Sequence, residues 1–275
     1  MPRARLTDIE LAYETRGNGP LVLFIAGTGY PGATWLPDIV DRLAGDYTVV
    51  TFDHRGTGRT PGTPGLYSTR QFAADALGLL ASLDAGPAHV IGHSMGGRVA
   101  QWMALDGLEQ VRSLVLAASG PGQIRDDQPL MRGIPLKHAM SMIETGYEGH
   151  MRRAIRGSFF TPEFAAERPE VVEALIAAFW ENRPALEDYL KHVIARQQHQ
   201  TAEALNQITV PALVLIGDRD TGRGGTGSHV EQSAYLAKHL PHAELRVIPD
   251  TAHGYFWQKP EETMAVIGTF LASQR

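Results

Sequence analysis

The pentapeptide Gly92-His93-Ser94-Met95-Gly96 constrains this chain more than any other segment. It follows directly on the apolar run Ala88 to Ile91, which reads as a strand, and leads into Met95 to Asp106, which has helical patterning. A strand that becomes a helix across so short a turn strains the central residue. It also leaves no room for side chains two positions before and two positions after. Glycine at 92 and 96 meets that demand, with Gly97 beside it. Such a turn holds Ser94 at the top of a sheet, with the helix N-terminus and the Met95 N–H placed to stabilise a developing oxyanion. A tight turn that merely carries a serine is the bland alternative, and the strand-to-helix context speaks against it.

Other apolar runs repeat the strand pattern: Leu21 to Ile25, Tyr47 to Phe52, Ser113 to Ala117, Ala212 to Ile216 and Ala243 to Ile248. Continuous apolar runs without alternation predict strands buried on both faces, hence a mostly parallel sheet. Helical segments such as Thr69 to Leu83 and Ser228 to His239 lie between them, which is the α/β pattern with helices on both sheet faces. From about Gly120 to Leu205 the patterning is helical throughout, punctuated by Pro162, Pro169 and Pro184. This predicts a core of residues 1–119 and 206–275, with residues 120–205 inserted as a helical lid.

The balance of 43% hydrophobic and 20% charged residues is that of a globular chain. A net charge of −5 offers no basic field for nucleic acid or an anionic membrane, so neither partner is expected. The absence of cysteine excludes disulfides, a cysteine nucleophile and thiolate metal sites. The N-terminus is a poor signal peptide and no apolar run approaches membrane-spanning length, so a cytoplasmic location is expected. The sequence does not decide the oligomeric state; a homodimer is compatible with it.

The elbow, in its strand-to-helix setting, resembles that of the α/β-hydrolase superfamily, and the resemblance extends over nearly the whole core on both sides of the lid. A serine hydroxyl needs a base to become nucleophilic. The resemblance selects His253 from eleven histidines, because Asp250-Thr251-Ala252-His253-Gly254 follows the last strand and precedes Pro260-Glu261-Glu262, as in the family. The family order of serine, acid, histidine places the acid in Gly217-Asp218-Arg219-Asp220-Thr221. It favours Asp220, with Asp218 as runner-up in a turn or cap role. The loop Ala26-Gly27-Thr28-Gly29-Tyr30-Pro31-Gly32 is similar to the family's oxyanion loop, which implies Thr28 as second donor beside Met95, with Gly27 the alternative. Ala26 departs from the pattern, since a histidine usually braces this loop. The glycine-rich run Thr221 to Gly227 is a second departure, expected to be mobile.

Asp53-His54-Arg55-Gly56-Thr57-Gly58-Arg59 is similar to a structural loop at the family's active-site rim; the functional reading is that His54 or Arg55 touches substrate. Tyr30, Trp35, Phe159, Phe160 and Trp180 are candidates for lining a pocket, with Trp102, Met131, Met140, Met142, Met151, Phe164, Phe179 and Tyr189 carrying the same ambiguity between pocket and core. Arg152, Arg153 and Arg156 could face a substrate carboxylate but read more simply as a solvated helix face. Three other motifs fail. Gly56-Thr57-Gly58 lacks a third glycine, Gly222 to Gly227 lacks the phosphate-binding lysine, and His89 and His93 straddle a strand end. No metal and no cofactor are expected.

The expected activity is serine hydrolysis of a small-to-medium, mostly apolar carboxylic ester or lactone. The alternatives are a C–C hydrolase of diketones, from the spacing of the oxyanion loop to Trp35, and a hydrolase-fold ligand receptor with slow turnover. A serine at the elbow disfavours dehalogenase and epoxide hydrolase chemistry, which uses aspartate there.

Overall fold

A computed structural model describes residues 2–84, 86–125, 133–224 and 227–274. The strands are β1 (Arg3–Arg5), β2 (Glu10–Arg16), β3 (Leu21–Ile25), β4 (Thr48–Phe52), β5 (Ala88–His93), β6 (Val111–Ala117), β7 (Ala212–Gly217), β8 (Arg223–Gly224), β9 (Gly227–Ser228) and β10 (Ala243–Ile248). The helices are α1 (Pro37–Val40), α2 (Thr69–Leu83), α3 (Met95–Asp106), α4 (Leu136–Ala154), α5 (Pro162–Glu167), α6 (Pro169–Glu181), α7 (Leu186–Gln197), α8 (His229–His239), α9 (Tyr255–Gln258) and α10 (Pro260–Ala272).

Eight strands form one sheet in the order β1-β2-β4-β3-β5-β6-β7-β10. It is parallel from β4 to β10, while β2 pairs antiparallel with both β1 and β4. Every residue of β3, β5 and β7 is buried. Strand alternation sends Val22 and Phe24 to one face, among residues of α1, α9 and α10, and Leu21, Leu23 and Ile25 to the other, among residues of α2, α3 and α8. The short apolar runs are therefore the central strands, as their continuity predicts.

Two expectations change at the sheet margins. β1 and β2 carry Arg3, Arg5, Glu10, Glu14 and Arg16, and no apolar run announces them. β10 is not doubly buried: four of its six residues, Glu244 and Arg246 among them, are exposed, because it is the edge strand. Between β6 and β7 the elements among the described residues are all helical: α4 to α7, the π-turn Ile155–Phe159 and a 3-10 turn at Ala202–Gln207. Met131 lies outside the described residues, as do residues 225 and 226 of the glycine-rich run. Residues 223 and 224 of that run pair with residues 227 and 228 as the β8-β9 ribbon.

Candidate active site

Loops at the C-terminal ends of parallel strands β3, β5, β7 and β10 converge on one region, where open α/β sheets bind ligands. At the end of β5, Ser94 adopts φ 56° and ψ −115° and serves as the residue before α3. A Cβ on Gly92 would stand 2.3 Å from the Gly96 carbonyl oxygen, and one on Gly96 would stand 2.1 Å from that of Ile25. Both approaches are shorter than any side chain permits, so the two glycines are required by contact. The Ser94 N–H donates to Ala117 O at 2.8 Å, tying the elbow to β6.

After β7, Asp220 is buried, and after β10 the His253 Nδ1–H donates to Asp220 Oδ2 at 2.7 Å. Asp218 is not in that contact; its Oδ1 accepts from Thr251 N at 3.2 Å and so steadies the His253 loop. The π-turn holds the same loop, its Ser158 and Phe159 carbonyls accepting from the N–H groups of His253 and Gly254. His93 is buried and donates from Nε2 to His253 O at 2.9 Å. Burial, with the neighbouring His253 ring, holds His93 well below the usual histidine range, so it serves as a neutral donor.

Asp220 has a second histidine that the sequence did not announce. His229, first residue of α8, places Nδ1 3.0 Å from both Asp220 oxygens, and its ring stacks on His253 with centroids 4.5 Å apart. The Gly222 N–H donates to Asp220 Oδ1 at 2.8 Å. Burial alone would raise the Asp220 pKa; the His253 charge and hydrogen bonds from both histidines overcome it and hold the carboxylate far below its usual range. Among the described residues, Asp220, His229 and His253 are the group whose ligand-type atoms lie close enough to hold a metal, all within 4.8 Å. Both Nδ1 atoms are already directed at the carboxylate as donors.

A family model described as the alpha/beta hydrolase fold matches residues 20–260. The chain belongs to the alpha/beta hydrolase family. Within it, the non-heme chloroperoxidase CPO-A1 of Kitasatospora aureofaciens is 28% identical over 271 residues, covering 92% of each chain. The 3-oxoadipate enol-lactonase 2 of Acinetobacter baylyi is 26% identical, covering 88% of this chain and 85% of that protein. A solved structure of Est816, described as an N-acyl homoserine lactone degrading enzyme, aligns with a TM-score of 0.80 at 26% identity, covering 98% of this chain and all of that one.

This hydrolase-family site opens into a cavity of about 450 Å³ lined by Ser94, His253, His229, Gly27 and Thr28. Tyr30 and Phe159 line it too, stacked with centroids 5.1 Å apart. Three other candidates lie off the wall. Trp35 is buried against Trp257, Phe160 stacks on Phe164 and Trp180 packs on Tyr147 beneath Arg183. Trp35 and Phe160 belong to the hydrophobic core, and Trp180 packs against it, partly buried. Of the remaining ambiguous residues, Met151 and Tyr189 reach the cavity. Arg152 and Arg156 are exposed and paired with Glu173, and Arg153 lies 4.0 Å from Glu144, so that solvated face does not face substrate.

The departure at Ala26 has a counterpart in α7. His192 Nδ1 accepts from the Gly29 N–H at 3.3 Å, and its Nε2–H donates to Arg55 O at 2.9 Å. A histidine thus braces the loop of residues 26–32 from another element. Burial lowers its pKa to about 4, and burial with His192 nearby lowers that of His54 to about 3. An unfolded chain protonates both near pH 6.5, whereas the native state keeps them neutral, so acid favours unfolding. These two histidines alone contribute about 3 kcal/mol of lost stability at pH 5.5 relative to pH above 7, one pKa unit each, and His93, held neutral in the same way, adds to the loss. Urea midpoints at the two pH values check this; equal midpoints would contradict it. Among the described residues no helix is long and apolar enough to cross a membrane.

Proposed function

We propose that the protein is a serine hydrolase that cleaves carboxylic esters or lactones through an acyl-enzyme. The observation that carries this reading is the 2.7 Å contact of His253 Nδ1 with Asp220, beside a cavity lined by both Ser94 and His253. In this reading Ser94 Oγ attacks the carbonyl carbon while His253 Nε2 takes its proton. Asp220 fixes the tautomer that leaves Nε2 free and stabilises the imidazolium. The N–H groups of Met95 and Thr28 hold the oxyanion. Collapse expels the alkoxide, protonated by His253; water then attacks the acyl carbon as His253 takes its proton, and the second collapse releases the acid as His253 returns that proton to Ser94 Oγ. Helices α4 to α7 act as a lid over this chemistry. The relatives' activities on lactones point the same way.

The pocket narrows the substrate expectation. Tyr30, Met151 and Phe159 provide apolar wall, but Arg98, Lys137 and Arg196 share it, so a purely apolar substrate fits poorly. The C–C hydrolase reading leaned on the spacing to Trp35, which is a core residue here. The test is covalent labelling. A fluorophosphonate should attach once per chain, on the peptide carrying Ser94, and p-nitrophenyl esters should turn over until it does. No label at Ser94 in folded protein would sink the reading.

A further inference from the structure

We propose that the substrate carries a carboxylate a few bonds from its scissile carbonyl, and that Arg98 and Arg196 are the residues that seat it. This rests on the hydrolase reading and names the class of ester or lactone within it. Arg98 lies on α3, one helical turn beyond Ser94, and is only 6% exposed. Arg196 lies in the last turn of α7, and both line the cavity that holds Ser94 and His253. Lys137, His138 and His150 add to the same wall, and no aspartate or glutamate is among the described residues that line it.

The partners of the two guanidiniums are all neutral. Arg98 Nη1 donates to the Arg196 carbonyl oxygen at 2.5 Å, and Arg196 Nη1 approaches Thr28 Oγ1 at 3.5 Å. Among the described residues neither has a carboxylate within ion-pair distance. Elsewhere the chain matches a buried arginine with acid: Arg55 is held by Asp75 and Asp8. Arg98 is buried and Arg196 half-buried, and two such neighbouring cations with no acid partner among the described residues are unfavourable unless something else supplies the counter-charge. Burial and the neighbouring Arg196 charge push Arg98 down to about 9, and burial lowers Arg196 as well, which is the electrostatic signature of that missing anion. A bound carboxylate would relieve both. The contact of Arg196 with Thr28 puts this seat beside the oxyanion loop, so a short spacer between carboxylate and carbonyl fits.

The test compares mono-p-nitrophenyl glutarate with the neutral p-nitrophenyl valerate. The wild type is expected to favour the glutarate by about 10- to 100-fold in kcat/KM, mostly through KM, the scale of a charge-assisted hydrogen-bonded pair. In Arg196→Met that ratio should fall towards one, and Arg196→Lys should recover part of it. Arg98→Lys provides a second reading should Arg196→Met fail to fold. Calorimetry on Ser94→Ala with monomethyl glutarate and methyl valerate measures the same preference without turnover. Tighter binding of the monoanion, lost on replacing Arg196, supports the seat even if neither ester is hydrolysed, in which case it is the hydrolase reading that fails. A wild-type ratio near one, or equal losses on both esters in Arg196→Met, overturns the carboxylate seat and leaves the hydrolase reading standing.

Discussion

Asp220→Asn is expected to lower kcat for ester hydrolysis by about four orders of magnitude while the protein stays folded. Both oxygens of Asp220 are committed as acceptors: Oδ2 to the His253 Nδ1–H, and Oδ1 to the Gly222 N–H. An amide must place its NH2 against one of them. Facing Gly222 it opposes donor to donor; facing His253 it imposes the tautomer that puts the proton on Nε2, where a base needs a lone pair. His229, which bridges both oxygens, offers the amide no better arrangement. Steady-state kinetics with a thermal melt of each protein decides the matter, and a kcat within tenfold of wild type would refute the assigned role. His229→Phe removes one of several bonds to Asp220 and is expected to lower kcat only about tenfold.

The second large effect lies away from the cavity. Arg55→Met should destabilise the fold by about 4 kcal/mol, because it strands a buried carboxylate. Arg55 Nη2 and Nε donate to the two oxygens of Asp75 at 2.6 and 2.8 Å, with Arg55 and Asp75 side chains 2% and 5% exposed. Burial raises Asp75, and Arg55 opposes it. The double variant Arg55→Met with Asp75→Leu should recover most of the loss, since it removes the orphaned charge as well. Urea unfolding of the single and double variants measures both numbers; additive losses would show that the pair is not coupled. His54 and Arg55 do not line the cavity, and Arg55 is committed to its acid partners.

The central strands and the elbow were legible because local rules write them. Doubly buried strands must be continuously apolar, and Gly92 and Gly96 leave space for backbone only 2.3 and 2.1 Å away. Asp220 and His253 were legible through chain order relative to Ser94, since each follows a strand end. What stayed hidden depends on long-range packing. Arg98 sits in a helix where an arginine one turn from its start looks like a solvated residue, and only the covering α7 buries it. Arg152 and Arg156 have the more suggestive spacing and face outward. His229 gains meaning only when α8 begins beside Asp220. Ala26 was visible as a missing brace, whereas its replacement, His192, belongs to a helix far along the chain.

That replacement ties covering to chemistry. Besides His192 on Gly29 and Arg55, α7 brings Asp188 to the Tyr67 hydroxyl at 2.7 Å and Arg196 to Thr28. The helix that lines the cavity is thus also the clamp on the loop proposed to receive the oxyanion. In the proposed reading, any opening that lifted α7 would therefore also release Gly29 and Thr28 from their partners on it, so that covering the cavity and shaping its floor are one event.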